Sequence, residues 1–271
     1  MQKRILALHD LAGLGRSSLA PIIAVLSAMG HQCVPLPTAV YSSHLALPGW
    51  HGCDLTEHLR PALAQYTALK QRFDALFAGF LSSAEQIDIV AEAAHRCDMT
   101  IIDPVLGDNG RLYSSVTPAL CEKMKWLCER ANVITPNASE AAVLLGRDPI
   151  ETPRGEAEAH EWAYALWKRF GASVVLTGLP LQKDKLTIVC YENGTPQVLE
   201  HPHIEAYYPG TGDIFAAVLT GGLVSGDKLG VSAWRAALFV HACIAATESE
   251  GTDRMLGVQF ERQLGQLWNG E

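Results

Sequence analysis

The chain has 271 residues, 48% of them hydrophobic, and a formal charge of −8 at neutral pH. That length suits one large α/β domain or two small ones, with apolar residues enough for a substantial core. The acidic balance and the lack of a basic run exclude a nucleic-acid partner held through its phosphates. No run of 18 or more apolar residues marks a membrane-spanning helix.

In chain order, strand-like and helical segments alternate. Residues 5–9 are a short apolar strand, 17–29 a helix, and 32–37 a strand again. Further apolar runs lie at 75–79, 100–103, 132–135 and 173–177, separated by helical patterns at 84–96, 116–130, 139–145 and 156–170. Such alternation predicts a mostly parallel sheet with helices on both faces, its strands reading as continuous apolar runs. Beyond 177 the pattern changes. Residues 186–191 and 197–203 flank Glu192-Asn193-Gly194, which predicts an antiparallel edge hairpin. Helices at 211–224 and 231–248 close the chain, and no linker divides it, so a single domain over 1–271 is expected. The seven cysteines, at 33, 53, 97, 121, 128, 190 and 243, are odd in number and form no C-x-x-C. They read as reduced thiols. The charged start Met1-Gln2-Lys3-Arg4 runs directly into a strand without a signal-peptide pattern, so a cytoplasmic location is expected.

In a sheet of this kind ligands bind beyond the carboxyl ends of the strands. After the first strand, Asp10-Leu11-Ala12-Gly13-Leu14-Gly15-Arg16-Ser17-Ser18 nearly spells G-x-G-x-x-G. The second strand ends in Leu36-Pro37-Thr38-Ala39 without the acidic residue of a dinucleotide site. What remains is a plain strand-to-helix turn or a glycine loop that lets a small substrate approach the backbone. A P-loop and the protein-kinase signatures are absent.

Asp103 ends a buried strand and Asp108 follows in a turn rich in Gly and Asn. The pair could hold magnesium directly or through water, or Asp could satisfy turn amides. Asn137 and Glu140 have the spacing of a capping box and equally could lie beside a metal–phosphate region. Thr177-Gly178 ends a further strand with a hydroxyl and a glycine. Gly210-Thr211-Gly212-Asp213 opens an apolar helix. Exposed N–H groups there can receive an anion, and the carboxylate can take a proton from an attacking hydroxyl. A simple helix start would look the same.

Taken together and in order, Asp103-Pro104-Val105-x-Gly107-Asp108, Thr135-Pro136-Asn137-x-x-Glu140, Thr177-Gly178 and Gly210-Thr211-Gly212-Asp213 resemble the ribokinase superfamily. The vitamin B6 branch, the pyridoxal/pyridoxine/pyridoxamine kinases, is the most similar. Segments 37–44 and 79–86 resemble its substrate side, and the likeness runs from about residue 5 to about 250. The resemblance implies a three-layer α/β/α sandwich, with a mostly parallel central sheet and an antiparallel edge hairpin. It implies ATP- and Mg²⁺-dependent phosphorylation of a 5′-hydroxymethyl group, often with a monovalent cation such as K⁺, by a cytosolic homodimer. Residue by residue, Asp213 matches the base, and Gly210, Thr211 and Gly212 the anion hole. Asp103 and Glu140 match the metal region, and Asp108, Asn137, Thr177 and Gly178 the nucleotide side. Asp10, Leu14, Tyr41, His44 and Phe80 fall where the family contacts the pyridine ring. The branch commonly has Ser at position 10, Thr at 45 and Tyr at 80. Asp10 could accept a hydrogen bond from a ring hydroxyl or nitrogen and would meet an amine better than an aldehyde, favouring pyridoxamine or pyridoxine. The alternatives are a hydroxymethylpyrimidine or other small-alcohol kinase of the same fold, and a non-catalytic vitamer-binding protein.

Overall fold

The computed structural model describes residues 2–268. Its centre is a nine-stranded sheet in the order β11-β10-β9-β8-β5-β4-β1-β2-β3. The parallel strands are β1 (Arg4–Leu14), β2 (Gln32–Ser43), β4 (Ala75–Ala78), β5 (Thr100–Ile102), β8 (Val133–Ile134) and β9 (Ser173–Gln182). Antiparallel strands flank them: β3 (Gly52–Asp54) at one edge, β10 (Lys185–Glu192) and β11 (Thr195–Pro202) at the other. A separate two-stranded ribbon joins β6 (Gly107–Asp108) to β7 (Arg111–Leu112).

Alternation along the strands divides the core into two layers. In β1, Leu6 and Leu8 face one layer, with Leu76, Ala78, Val174 and Leu176. Helices α2 (Thr56–Ala68), α3 (Ala84–Ala94), α4 (Pro118–Cys128), α5 (Ala138–Leu144) and α6 (Glu156–Phe170) cover that side. Ile5 and Ala7 face the other layer, with Phe77 and Val175, under α1 (Leu19–Ala28), α7 (Thr211–Ser225) and α8 (Leu229–Glu250). Both faces are covered, which is why the central strands carry no polar side. By length and composition α8 could cross a membrane; here it buries Ala233, Ala237, Phe239 and Cys243 against the sheet layer. The seven cysteines are all unpaired thiols.

The edge hairpin turns at Asn193 and Gly194, both with positive φ (51° and 78°), as its type I′ turn requires. Other parts differ from the expectation. Strand β1 does not stop at residue 9. It runs on through Asp10 and Gly13 to Leu14, paired with β2 as far as Ser43. The expected glycine loop is thus a strand extension: a Cβ on Gly13 would lie 2.9 Å from the Ser42 carbonyl oxygen. The strand expected to end at Thr177 also continues. Gly178, at φ 69°, makes a bulge between the pairs Leu176–Val189 and Leu179–Thr187. Helix α2 gave no clear signal, being polar overall with Pro61 inside it, yet it seats Leu59, Ala62 and Leu63 in the core.

Candidate active site

The carboxyl ends of the parallel strands open into a cleft of about 430 Å³, within the usual size for a small-molecule site. Its floor is the start of α7. Gly210 precedes the helix at φ 84°, and a Cβ there would fall 2.0 Å from the Arg16 carbonyl oxygen, so only glycine fits. The first-turn amides that follow have no intrahelical acceptor. They point, with the positive end of the helix dipole, at the cleft that Gly210, Thr211, Gly212 and Asp213 line. The Thr211 hydroxyl does not project as a further donor; it turns back to the Tyr208 carbonyl at 3.1 Å.

Asp213 is held on both oxygens. Oδ1 is 3.1 Å from His9 Nε2, and Oδ2 accepts the Ser18 backbone N–H at 2.6 Å. Ser18 supplies that amide from a left-handed conformation (φ 63°) just before α1, a strained arrangement of the kind found at functional sites. His9 is the last-but-one polar step of β1, two residues beyond Ala7, and therefore faces the α1–α7 layer. Its Nδ1 lies 2.8 Å from Asp10 Oδ1. Space for the ring comes from Gly79 at the end of β4, where a Cβ would sit 2.2 Å from it. Burial by itself would lower the imidazole's pKa; Asp213 and Asp10 outweigh it and push it up to about 10.

A second group of carboxylates gathers at the ends of β5 and β8. Asp103 Oδ1 accepts the Thr135 hydroxyl at 3.0 Å; burial, then the charge of Asp213, pushes its carboxyl up to about 7. Glu140 is raised well above the ordinary value by burial and by Asp103, and Asp108 is raised by burial. The capping box at α5 is made. Asn137 Oδ1 accepts the Glu140 N–H at 3.0 Å, while Glu140 Oε2 accepts the Asn137 N–H and Oε1 that of Leu106. Glu140, expected in the metal region, thus has each of its oxygens on a backbone amide. Asn137 also donates to the Gly107 carbonyl, tying α5 to the β6–β7 ribbon.

Among the described residues no three His, Cys, Asp or Glu side chains are grouped to ligate a metal directly. The chemistry still fits a hydrated divalent ion. Two buried carboxylates, Asp103 and Glu140, and the half-buried Asp108 have pKa values raised by burial, and among the described residues no lysine or arginine lines the cleft. Magnesium usually keeps several waters and takes one or two carboxylates beside substrate phosphates.

Of the residues expected at the pyridine ring, His44 and Phe80 line the cleft, as does Leu45. His44 is fixed through Nε2 to the Met255 carbonyl and packs over Gly15. Asp10 lines it too, but its carboxylate is buried and committed: Oδ1 to His9, Oδ2 to the Ser18 hydroxyl at 2.9 Å. The hydrogen bonds that Asp10 makes here are internal, to His9 and Ser18. Leu14 and Tyr41 do not line the cleft. Leu14 is exposed at the tip of β1, and the Tyr41 ring stands edge-on to Trp50 with centroids 5.3 Å apart. Both follow from the strand extension, which carries them past the site. Thr177 lines the cleft, and Gly178 acts as the bulge beside it. Sequence reasoning passed over His9, Ser18, Tyr113 and Tyr207, all cleft residues. The available signal was a His-Asp pair closing a buried strand, with a glycine ending the strand beside it.

A family model for phosphomethylpyrimidine kinase matches residues 61–256. The pyridoxine kinase of Bacillus subtilis is 33% identical over 178 residues, 63% of this chain and 64% of that protein. The match therefore spans just under two thirds of that relative's length. The pyridoxine/pyridoxal/pyridoxamine kinase of Bordetella bronchiseptica is 28% identical over 246 residues, 86% of each chain. A solved structure from Bacteroides thetaiotaomicron, classed as a phosphomethylpyrimidine kinase and crystallised with pyridoxal, has a TM-score of 0.93 at 36% identity. That superposition covers 98% of this chain and 96% of the other. The architecture is ribokinase-like, as the sequence motifs implied.

Proposed function

The chain belongs to the phosphomethylpyrimidine kinase family, and on that premise we propose that it phosphorylates the 5′-hydroxymethyl group of a vitamin B6 vitamer with ATP. The observation that carries this reading is the start of α7. There a carboxylate fixed on both oxygens stands beside free first-turn amides at the floor of the cleft. A binding protein has no need of a held base next to an anion hole.

In this mechanism the vitamer hydroxyl attacks the γ-phosphorus in line and its proton passes to Asp213. The bond to the β–γ bridging oxygen breaks and ADP leaves. Amides of the Gly210–Asp213 turn meet the charge on the transferring group, and His9 and Ser18 keep Asp213 aimed. Asp103, with Asp108 nearby, would hold a hydrated Mg²⁺, which when bound neutralises phosphate charge. Positioning and electrostatics supply most of the acceleration in reactions of this class. Thr177 and Asn137 serve the nucleotide side, Phe80 and His44 the ring side. A cytosolic homodimer completes the reading.

The family description favours one second reading, a hydroxymethylpyrimidine as the alcohol. An ADP-release assay across pyridoxal, pyridoxine, pyridoxamine and hydroxymethylpyrimidine separates the two. Turnover confined to the pyrimidine would replace the B6 reading. Binding without turnover on all four would make the chain a vitamer-binding protein.

A further inference from the structure

We propose that His9 is a positioning residue, a fixed cationic bridge between Asp10 and Asp213 that keeps the base oriented and ready to accept a proton. The inference rests on the kinase reading and deepens it. Its ground is geometric. Both ring nitrogens face carboxylate oxygens, at 2.8 Å and 3.1 Å, and an ionised carboxylate can only accept. A neutral imidazole has one N–H and would set a lone pair against one of the two oxygens. The doubly donating imidazolium satisfies both. The ring is buried, with 3% of its side chain exposed, so no water can substitute for either partner.

Each group packed around the ring fits that role. Asp10, from β1 itself, has its second oxygen tied to the Ser18 hydroxyl, so it anchors the bridge from behind. Asp213, from α7, takes the other side, together with the Ser18 amide before α1. From β4 comes only Gly79, whose missing side chain leaves the ring its place. Asp103, just past β5, feels both groups: the charge of Asp213 raises its carboxyl and that of His9 lowers it. Without the imidazolium, Asp213 would face Asp103 and an incoming polyphosphate with no compensating side-chain charge. A carboxylate in that position holds its proton more tightly and is a worse acceptor near neutral pH. Opposite charge at hydrogen-bond distance ordinarily shifts a carboxyl by about one to three pH units.

The experiment compares wild type with His9→Asn and His9→Gln in pH profiles of kcat and KM. The expected result is a kcat at least about 10-fold lower near neutrality, within the usual size of a proton-transfer contribution. KM for the vitamer should stay within about 3-fold, as for loss of an interaction made only in the transition state. The acidic limb of kcat should move up by about one pH unit or more. A lower kcat with an unmoved acidic limb would reduce His9 to a space-filling residue and overturn the proposal. A readout that needs neither turnover nor a folded variant is ¹⁵N NMR of the histidine rings in wild type. One of the ten histidines should keep both ring nitrogens protonated at pH 8, where an ordinary imidazole is neutral. Ten neutral rings at pH 8 would also overturn it. Wild type without activity on any small alcohol would sink the kinase reading instead, and the NMR result would stand by itself.

Discussion

Two groups of carboxylates share the cleft, and their surroundings are opposite. Asp10 and Asp213 enclose an imidazole and take further hydrogen bonds from Ser18. Asp103, Asp108 and Glu140 gather a short way off with no cationic side chain among them. Burial raises the carboxyls of the second group. The first group carries its counter-charge within the fold; the second is left to receive one with the substrate. On the kinase reading, a base must be ionised before the alcohol arrives, whereas a metal site can wait for a metal-bound nucleotide.

The largest expected effect comes from the compensated side. Asp213→Asn should lower turnover by about 10²-fold or more, measured by ADP release under saturating substrates. A variant within a few-fold of wild type would remove Asp213 as the base. Next is Gly210→Ala. Its methyl group would meet the Arg16 carbonyl from a φ of 84°. Stability should fall by more than about 1 kcal/mol, as for side chains forced into a left-handed position. Thermal unfolding and turnover should fall together.

Asp103→Asn turns the contrast into a difference of sign. Removing a buried carboxylate that lacks a cation should raise the melting temperature, while turnover falls about 10-fold, the trade-off expected where function requires an unfavourable group. A lower melting temperature would mean that Asp103 is compensated after all. The last prediction concerns pH. The His9 imidazole rises from an ordinary value near 6.5 to about 10 on folding, so the folded state binds the extra proton. The stabilisation this brings is complete below about pH 6.5 and is lost as the pH climbs through about 10. The denaturant-midpoint gap between wild type and His9→Asn should therefore narrow from pH 6 to pH 10. A constant gap would leave packing as the only contribution of the ring.

The sequence made the parallel centre legible because strands covered on both faces have nowhere to show polarity. Ile5 to Leu8 and Val174 to Leu176 are examples. Asn193-Gly194 announced its hairpin because few other pairs adopt two successive positive φ angles. The Gly13-x-Gly15 spacing misled. It looked like a loop, although glycine also serves where two backbones press together, as at Ser42. Leu14 and Tyr41, placed at the ring by resemblance alone, lie outside the cleft on that strand extension. His9 was hidden for another reason. It resembled the polar end of an apolar strand, and one of its partners lies 204 residues away. Only strand register and the seating of α7 bring the two together.

What the cleft offers an anion comes from peptide ends and one enclosed ring, with no lysine or arginine among the described residues on its walls, in a chain of net charge −8. Peptide dipoles act over about one helical turn, whereas the charge of the whole chain is felt out to roughly a Debye length, about 8 Å at physiological salt. On the kinase reading, an anionic nucleotide would be repelled at a distance and held only on arrival. Added monovalent salt should quicken its capture, the reverse of the behaviour of sites that draw phosphate in with exposed basic side chains.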